Sequence, residues 1–407
     1  MRDLLPGEAA SRRRLARAVL EHFALHGYDV VTPPAFELAF VLERGLGTLD
    51  PRDVLRFVEP ESGEVAALRP DMTPQIARMT ATRLAERPVP MRLSYEGTVL
   101  RRRQERARRH RQIPQAGVEL IGVPGPDGDL ELLALAASAA RAAGLTSFVL
   151  DVGHAGIARA LLVGATDAAA ASVLEALAHK DAKVVADRAR SAGVAAKSVA
   201  ALAALAALHG DAAVWGEARA LLGDGPAAAP LAALQALWDR AAAAGLAGVL
   251  RVDLGEVRGF AYYTGPIFHL YAEGPGEAVA SGGRYDDLLA RFGLPLPAAG
   301  FAVDLDNLAW ALRDAGVATA AAARVLVRPG AGAEALLGSL RAQGVAAALG
   351  PAADALAYAR AWEFPLVAGA DGDAIVVVDV ATGREARVPA GGAAEAITSL
   401  ASRPGSG

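Results

Sequence analysis

Residues 258–286 restrict the fold more than any other part of the sequence. They run Arg-Gly-Phe-Ala-Tyr-Tyr-Thr-Gly-Pro-Ile-Phe-His-Leu-Tyr, pass a Gly-Pro-Gly turn, and return as Ala-Val-Ala-Ser-Gly-Gly-Arg-Tyr-Asp. Aromatic and β-branched residues crowd positions 260–271, which reads as a strand, and the turn at 274–276 sends a second strand back beside it. Side chains alternate across such a hairpin, so one face presents Tyr263 together with Arg284 or Tyr285. Gly282-Gly283 leaves the backbone bare, so that a ligand can approach closely. The stretch reads as a binding floor made of sheet. A buried hairpin whose tyrosines only pack satisfies the same pattern.

The remaining chain must supply what stands around that floor, and 407 residues leave room for two or three domains. No apolar run reaches the ~18 residues that span a bilayer, and the N-terminus lacks a signal peptide's apolar core, so the expected place is the cytoplasm. The absence of cysteine excludes disulfides and thiolate metal sites. A net charge of −4 argues against a general nucleic-acid coat.

In chain order, a turn at 3–8 leads into a helix in which Leu15, Val19 and Phe23 recur every four residues, and Gly27 ends it. A short strand at 28–31 closes at Pro33-Pro34. Thr73 followed by Pro74 reads as a helix N-cap with proline in the first turn. Residues 91–100 form a strand, and the next segment, 101–111, carries seven arginines in eleven residues. Such a segment cannot pack in a core. It is either a solvated loop or a cationic loop over a phosphate or carboxylate. In Gln112-Ile-Pro-Gln-Ala-Gly-Val-Glu-Leu-Ile121, alternation aims Gln115, Gly117 and Glu119 to one face, which suits a pocket wall and equally an ordinary solvent face. A helix over 130–143 and a strand over 148–152 follow. Alanine and leucine dominate 155–247, expected to be a helical insertion. Strands at 249–254 and 298–303 and a helix at 305–315 complete the first part. Beyond a linker-like run, short alternating units form a small α/β domain over 323–403. Seven basic and eight acidic residues from Arg324 onward leave it without a basic face.

Five motifs in order carry a resemblance over roughly residues 1–315. They are Leu-Arg-Pro-Asp-Met-Thr at 68–73, Arg101, Arg-Gln-x-x-Gln-x-Gly-x-Glu at 111–119, Arg-Gly-x-x-Tyr-Tyr at 258–263 and Gly-Gly-Arg-Tyr-Asp at 282–286. They resemble the catalytic core of class II histidyl-tRNA synthetases. The resemblance implies an α+β fold: an antiparallel sheet flanked by helices, built from 1–154 and 248–316, with the insertion at 155–247. The C-terminal domain resembles an abbreviated anticodon-binding domain. It also implies a self-dimer formed through the region around Pro34.

By the same resemblance the pocket suits histidine. Glu119 accepts the imidazole N–H and the Tyr263 hydroxyl meets the other ring nitrogen. Asp71, Thr73 and Gln115 hold the ammonium group, Tyr285 lines the ring, and Arg258 and Arg101 face the carboxylate. Synthetases carry glutamate and glycine where this chain has Asp71 and Met72. The nucleotide side departs further. Arg103 stands where the second synthetase motif has an adenine-contacting glutamate. In the third, Asp304 replaces a glycine and Asn307 the triphosphate-gripping arginine. Losing a charge-assisted phosphate contact costs about 1.5–3 kcal/mol, and Asp304 adds repulsion toward a polyanion.

A histidine pocket without ATP machinery resembles the synthetase paralogues that regulate ATP phosphoribosyltransferase. This implies a subunit without catalysis or cofactor of its own. Its partner would be the short-form catalytic subunit in a hetero-octamer, with histidine feedback on the first step of histidine biosynthesis. The alternative is a divergent histidyl-tRNA synthetase. A free-standing histidine sensor or tRNA-binding module is a third reading, of which the neutral C-terminal domain disfavours tRNA.

Overall fold

The computed structural model describes residues 3–46, 54–101, 112–257, 262–317 and 324–401, and the chain divides into two compact units, Met1–Val317 and Ala318–Gly407. In chain order the first unit opens with α1 (Pro6–Leu25), β1 (Asp29–Val30), β2 (Phe36–Leu38), α2 (Ala39–Leu46), β3 (Arg56–Val58) and β4 (Val65–Leu68). Then come α3 (Thr73–Arg83), β5 (Met91–Leu100), β6 (Gln112–Ile121), α4 (Asp127–Ala142) and β7 (Val149–His154). A helical stretch follows: α5 (Ala155–Leu161), α6 (Asp167–Ala178), α7 (Ala182–Ser191), α8 (Ala196–Leu205), β8 (His209–Gly210), α9 (Val214–Leu222) and α10 (Ala228–Ala241). The unit ends with β9 (Leu250–Asp253), β10 (Pro266–Tyr271), β11 (Ala280–Arg284), β12 (Ala298–Asp304) and α11 (Leu305–Asp314).

Nine of these strands form one sheet in the order β1-β5-β6-β12-β11-β10-β7-β9-β8. From β5 to β7 every neighbour is antiparallel, while β1 joins β5 and β9 joins β7 in parallel. Alternation gives the sheet two buried faces with different partners. Ala116, Val118 and Leu120 of β6 and Ala299, Phe301 and Val303 of β12 face a core that includes Leu15, Val19 and Phe23 of α1. The four-residue spacing of those three places them on one stripe of the helix, and each is at most 4% exposed. The Phe23 ring meets Phe301 edge-on at 5.7 Å. The intervening β6 positions, Ile113 and Ile121, belong to a second core with Tyr95, Met72, Tyr262 and Tyr285. Gln115, Gly117 and Glu119 lie between them in register, on that second face.

The hairpin exists, with two corrections. Its first strand begins at Pro266, six positions later than the aromatic run suggests, and residues 258–261 lie outside the described residues. The glycine pair does not open the backbone to a ligand. A Cβ on Gly282 would strike Phe301 and the Gly300 carbonyl of β12, and one on Gly283 would meet Pro266 O at 2.7 Å and Ile267 Cγ2 at 2.9 Å. The glycines let β10, β11 and β12 pack closely. Between the neighbours Arg284 and Tyr285 the pleat admits only one to the ligand face. Tyr285 takes it, and Arg284 turns away to Asp129 of α4, Nε to Oδ1 at 2.7 Å.

The helices over 155–247 share the first core, in which Leu177, Val185, Leu202, Trp215 and Leu234 join Leu150 and Val252 of the sheet. Lys180 binds both Asp253 oxygens at 2.6 and 2.8 Å, and β8 pairs with β9, so the segment extends the sheet edge. A small sheet, β2-β4-β3, has no counterpart in the sequence reading. Its strands of three or four residues are too short to show a period.

The second unit contains β13 (Arg324–Val327), α12 (Ala333–Ala342), β14 (Ala346–Leu349), α13 (Ala355–Ala361), β15 (Leu366–Asp371), β16 (Ala374–Asp379), β17 (Glu385–Pro389) and α14 (Ala393–Ala401). The sheet order is β14-β13-β15-β16-β17, parallel across its first three strands and antiparallel beyond. Val325 and Val327 face Leu336, Leu337 and Leu340 of α12 together with Ile397 of α14. Leu326 points the other way, to Ala359 of α13 and Phe364. No described helix is long and apolar enough to cross a membrane.

Candidate functional site

A cavity of about 280 Å³ opens beside the large sheet, lined among others by Asp71, Thr73, Arg101, Gln115, Tyr263 and Tyr285. Six of the eight residues expected around histidine therefore meet in one place, although the sequence spreads them over more than two hundred positions. Arg258 lies outside the described residues, as does Arg103 of the nucleotide side. Glu119, the eighth, is 2% exposed and is not among the lining residues.

Glu119 sits behind the wall as a hub. Its Oε1 accepts the Thr73 hydroxyl at 2.7 Å, and its Oε2 accepts the Tyr285 hydroxyl. Gly300 on the next strand leaves room for it, since a Cβ there would collide with Oε2. Burial pushes the Glu119 carboxyl well above the usual carboxylate range, opposed by the Thr73 hydroxyl, with the nearby Asp71 pushing the same way and Tyr95 against it. Glu119 thus braces Thr73 and Tyr285, two residues that do line the cavity.

Thr73 does not cap its helix. The N-cap of α3 is Met72, whose own side chain makes no capping bond, and the Asp71 carboxylate meets the backbone N–H groups there. The turn is buried, Thr73 being 7% exposed, and its hydroxyl donates to the buried Glu119 carboxyl group. Asp71 lies beside it, 5% exposed. Its Oδ1 accepts the Met72 N–H and its Oδ2 the Tyr262 hydroxyl, both at 2.8 Å. Burial raises the Asp71 carboxyl, opposed by the Tyr262 hydrogen bond and then by the charge of Arg101. The shorter acid is therefore engaged and still borders the cavity.

Gln115 is 8% exposed, and its Oε1 has no hydrogen-bond partner among the described residues. A buried amide oxygen without a donor is costly, about 1–3 kcal/mol, so a ligand N–H fits there. The backbone carbonyl of Tyr263 accepts the Arg159 guanidinium from α5, which fixes this residue just before β10. Tyr262, Tyr263 and Tyr285 form a ring cluster with centroids 4.9–6.4 Å apart.

Asp304 also lines the cavity, and it caps α11, its Oδ1 accepting the N–H groups of Asp306 and Asn307 at 3.0 and 3.1 Å. The Asn307 amide donates to Ala278 O at 2.9 Å. A helix N-terminus that could have faced phosphate is occupied by the chain's own carboxylate.

Residues 1–308 match the family model described as Histidyl-tRNA synthetase. The ATP phosphoribosyltransferase regulatory subunit of Anaeromyxobacter sp. (strain Fw109-5) is 47% identical over 317 residues, covering 77% of this chain and 92% of that protein. Its namesake from Moorella thermoacetica (strain ATCC 39073 / JCM 9320) is 41% identical over 308 residues, 75% of this chain and 79% of the relative. The chain belongs to the family of histidyl-tRNA synthetase-like ATP phosphoribosyltransferase regulatory subunits. A solved structure of an ATP phosphoribosyltransferase regulatory subunit/histidyl-tRNA synthetase from Bacillus halodurans C superposes with a TM-score of 0.75 at 30% identity, covering 86% of this chain and 90% of that one. A histidyl-tRNA synthetase from Nostoc sp. PCC 7120 superposes at 0.78 with 19% identity, covering 98% and 97%, and shows the fold alone.

For a regulatory subunit of this family, sequence reasoning passed over Tyr95, Tyr262 and His269, all of which line the cavity. Tyr95 was hidden because β5 reads as a strand with no motif that sets one residue apart. Its only signal was Gly117 directly across, where a Cβ would overlap the Tyr95 ring. His269 faces Ser281 across the hairpin, Nδ1 to Oγ at 2.9 Å, a pairing that the register of β10 and β11 would have predicted. Among the described residues no group of three or more His, Asp or Glu side chains converges to hold a metal ion.

Proposed function

We propose that this regulatory subunit has no catalysis of its own, binds free histidine in the cavity, and imposes histidine feedback on a short-form catalytic ATP phosphoribosyltransferase. The observation that carries the reading is an asymmetry within one cavity. Polar groups suited to an amino acid remain in place, with Gln115 Oε1 awaiting a donor, Asp71 and Thr73 beside it and Arg101 near. The end of α11, by contrast, is closed by Asp304 and Asn307. A site that keeps its small ligand and loses its nucleotide can act through what it binds. Allostery then requires that histidine prefer one state of the assembly, a coupling typically worth about 1–3 kcal/mol. In this reading the subunit dimerises and joins the catalytic subunit in a hetero-octamer in the cytoplasm, without tRNA.

The test is co-expression with a short catalytic subunit, followed by size-exclusion chromatography and phosphoribosyltransferase assays across a histidine titration. The expected result is co-elution, with activity that depends on this chain and falls as histidine rises. A catalytic subunit that neither co-elutes nor changes its activity or histidine inhibition would refute the proposal.

A further inference from the structure

Tyr262 lines the cavity, yet the function proposed above gives it no task. It is 2% exposed, and its hydroxyl donates to Asp71 Oδ2 at 2.8 Å. Its ring is fixed by Tyr263 at 4.9 Å and, edge-on, by Tyr285 at 5.5 Å. The Met72 N–H holds the other Asp71 oxygen at 2.8 Å. The Asp71 carboxylate is thus held from two sides and cannot rotate without losing a bond, while each oxygen keeps lone-pair capacity for a further donor. The family resemblance places a longer glutamate at this position. Aspartate reaches less far, so its direction matters more.

We propose that Tyr262 is a positioning residue that keeps Asp71 aimed into the cavity as a carboxylate, and that recognition of the ligand's ammonium group depends on this pair. The assignment deepens the histidine reading and rests on it for the identity of the ligand. The surroundings of Asp71 explain why a positioning residue is needed. Tyr95 from β5, Glu119 from β6 and Tyr263 all feel its charge unfavourably, and burial is the largest influence raising its carboxyl. Against these stand the Tyr262 hydroxyl, the Arg101 charge and the backbone N–H groups of Met72 and Thr73. Tyr262 is the hydroxyl in this group that both bonds the carboxylate and borders the cavity. Its own hydroxyl is pushed up by burial and then by Asp71, so it remains protonated and donates.

The experiment uses the full chain and Tyr262→Phe, which keeps the ring packing and removes one oxygen. Calorimetry compares L-histidine with 3-(imidazolyl)propionate, which has the same ring and carboxylate but no ammonium. The variant should lose about tenfold or more in histidine affinity, a charge-assisted bond being at stake, and less than about twofold for the propionate. The histidine deficit should widen as pH falls, because Asp71 protonates earlier without its donor. Equal losses for both ligands, or no loss, overturn the assignment. A second readout needs no ligand. The carboxyl titration of Asp71, followed by ¹³C NMR and assigned with Asp71→Asn, should move to higher pH in Tyr262→Phe. An unmoved midpoint overturns the assignment even where histidine binds. A wild-type chain that binds neither compound while the midpoint moves overturns the histidine reading and leaves the pairing of Tyr262 with Asp71 supported.

Discussion

Glu119 shows how a buried residue behind a cavity wall can hold the side chains that line it. Two hydroxyls end on its carboxyl group, and burial holds that group well above the usual carboxylate range. The sign of the consequence follows from linkage. In the unfolded chain a glutamate ionises near 4.3, whereas in the folded chain it keeps its proton to higher pH. The folded state therefore loses stability as pH rises from about 4.3 through the raised value. Glu119→Gln removes that loss while keeping the shape and an acceptor oxygen. We expect thermal unfolding of the ligand-free variant to match the wild type below pH 4 and to exceed it increasingly toward neutrality. A stability difference independent of pH would mean that Glu119 is already ionised in the empty cavity. The Thr73 correction belongs to this scale as well. The local pattern of threonine before proline predicts a cap, but the hydroxyl donates to a buried carboxyl group forty-six positions away.

At the level of elements, a strand's period of two decides which side chains can cooperate. It separates Gln115 and Glu119 from Val118, and Tyr285 from Arg284. Glycine acts through the neighbouring strand: Gly117 makes room for Tyr95, and Gly300 for Glu119. Helix α11 shows a different economy, because Asp304 ends β12, lines the cavity and caps the helix at once. Asp304→Ala should cost about 0.5–2 kcal/mol of stability, whereas Asp304→Asn, also a good cap, should cost little. Urea titrations of the two variants check this. Equal destabilisation would assign the role to the charge and its surroundings instead of to the cap.

For the whole molecule, the fold brings segments from residue 71 to residue 304 to one cavity, and Asp304 at its border caps the N-terminus of α11. We therefore expect neither aminoacylation of histidine tRNA nor histidine-dependent pyrophosphate exchange. The negative charge of Asp304 occupies the end of α11 that would otherwise attract phosphate. Charging of histidine tRNA at a rate well above a no-enzyme blank would restore the divergent-synthetase reading. Histidine should nonetheless raise the unfolding temperature, since a ligand that binds only the folded state stabilises it by about 2.7 kcal/mol at a hundredfold excess over its Kd.

Some of this was legible in the amino-acid order. Helix α1 announced itself through Leu15, Val19 and Phe23, β6 through its alternation, and the C-terminal unit through short blocks of apolar residues between turns. These signals are local, since a period of 3.6 or 2 is visible within one element. Six candidates for the site could be named for the same reason, because motifs are contiguous. What the order could not supply was the third dimension. Whether Gly282-Gly283 faces a ligand or a neighbouring strand depends on β12. The bonds made by Thr73 and Asp71 depend on Glu119 and Tyr262, which lie 46 and 191 positions away. Only the assembled fold decides such partners, because burial removes water as the competing one and leaves each polar group the nearest donor or acceptor that the fold provides.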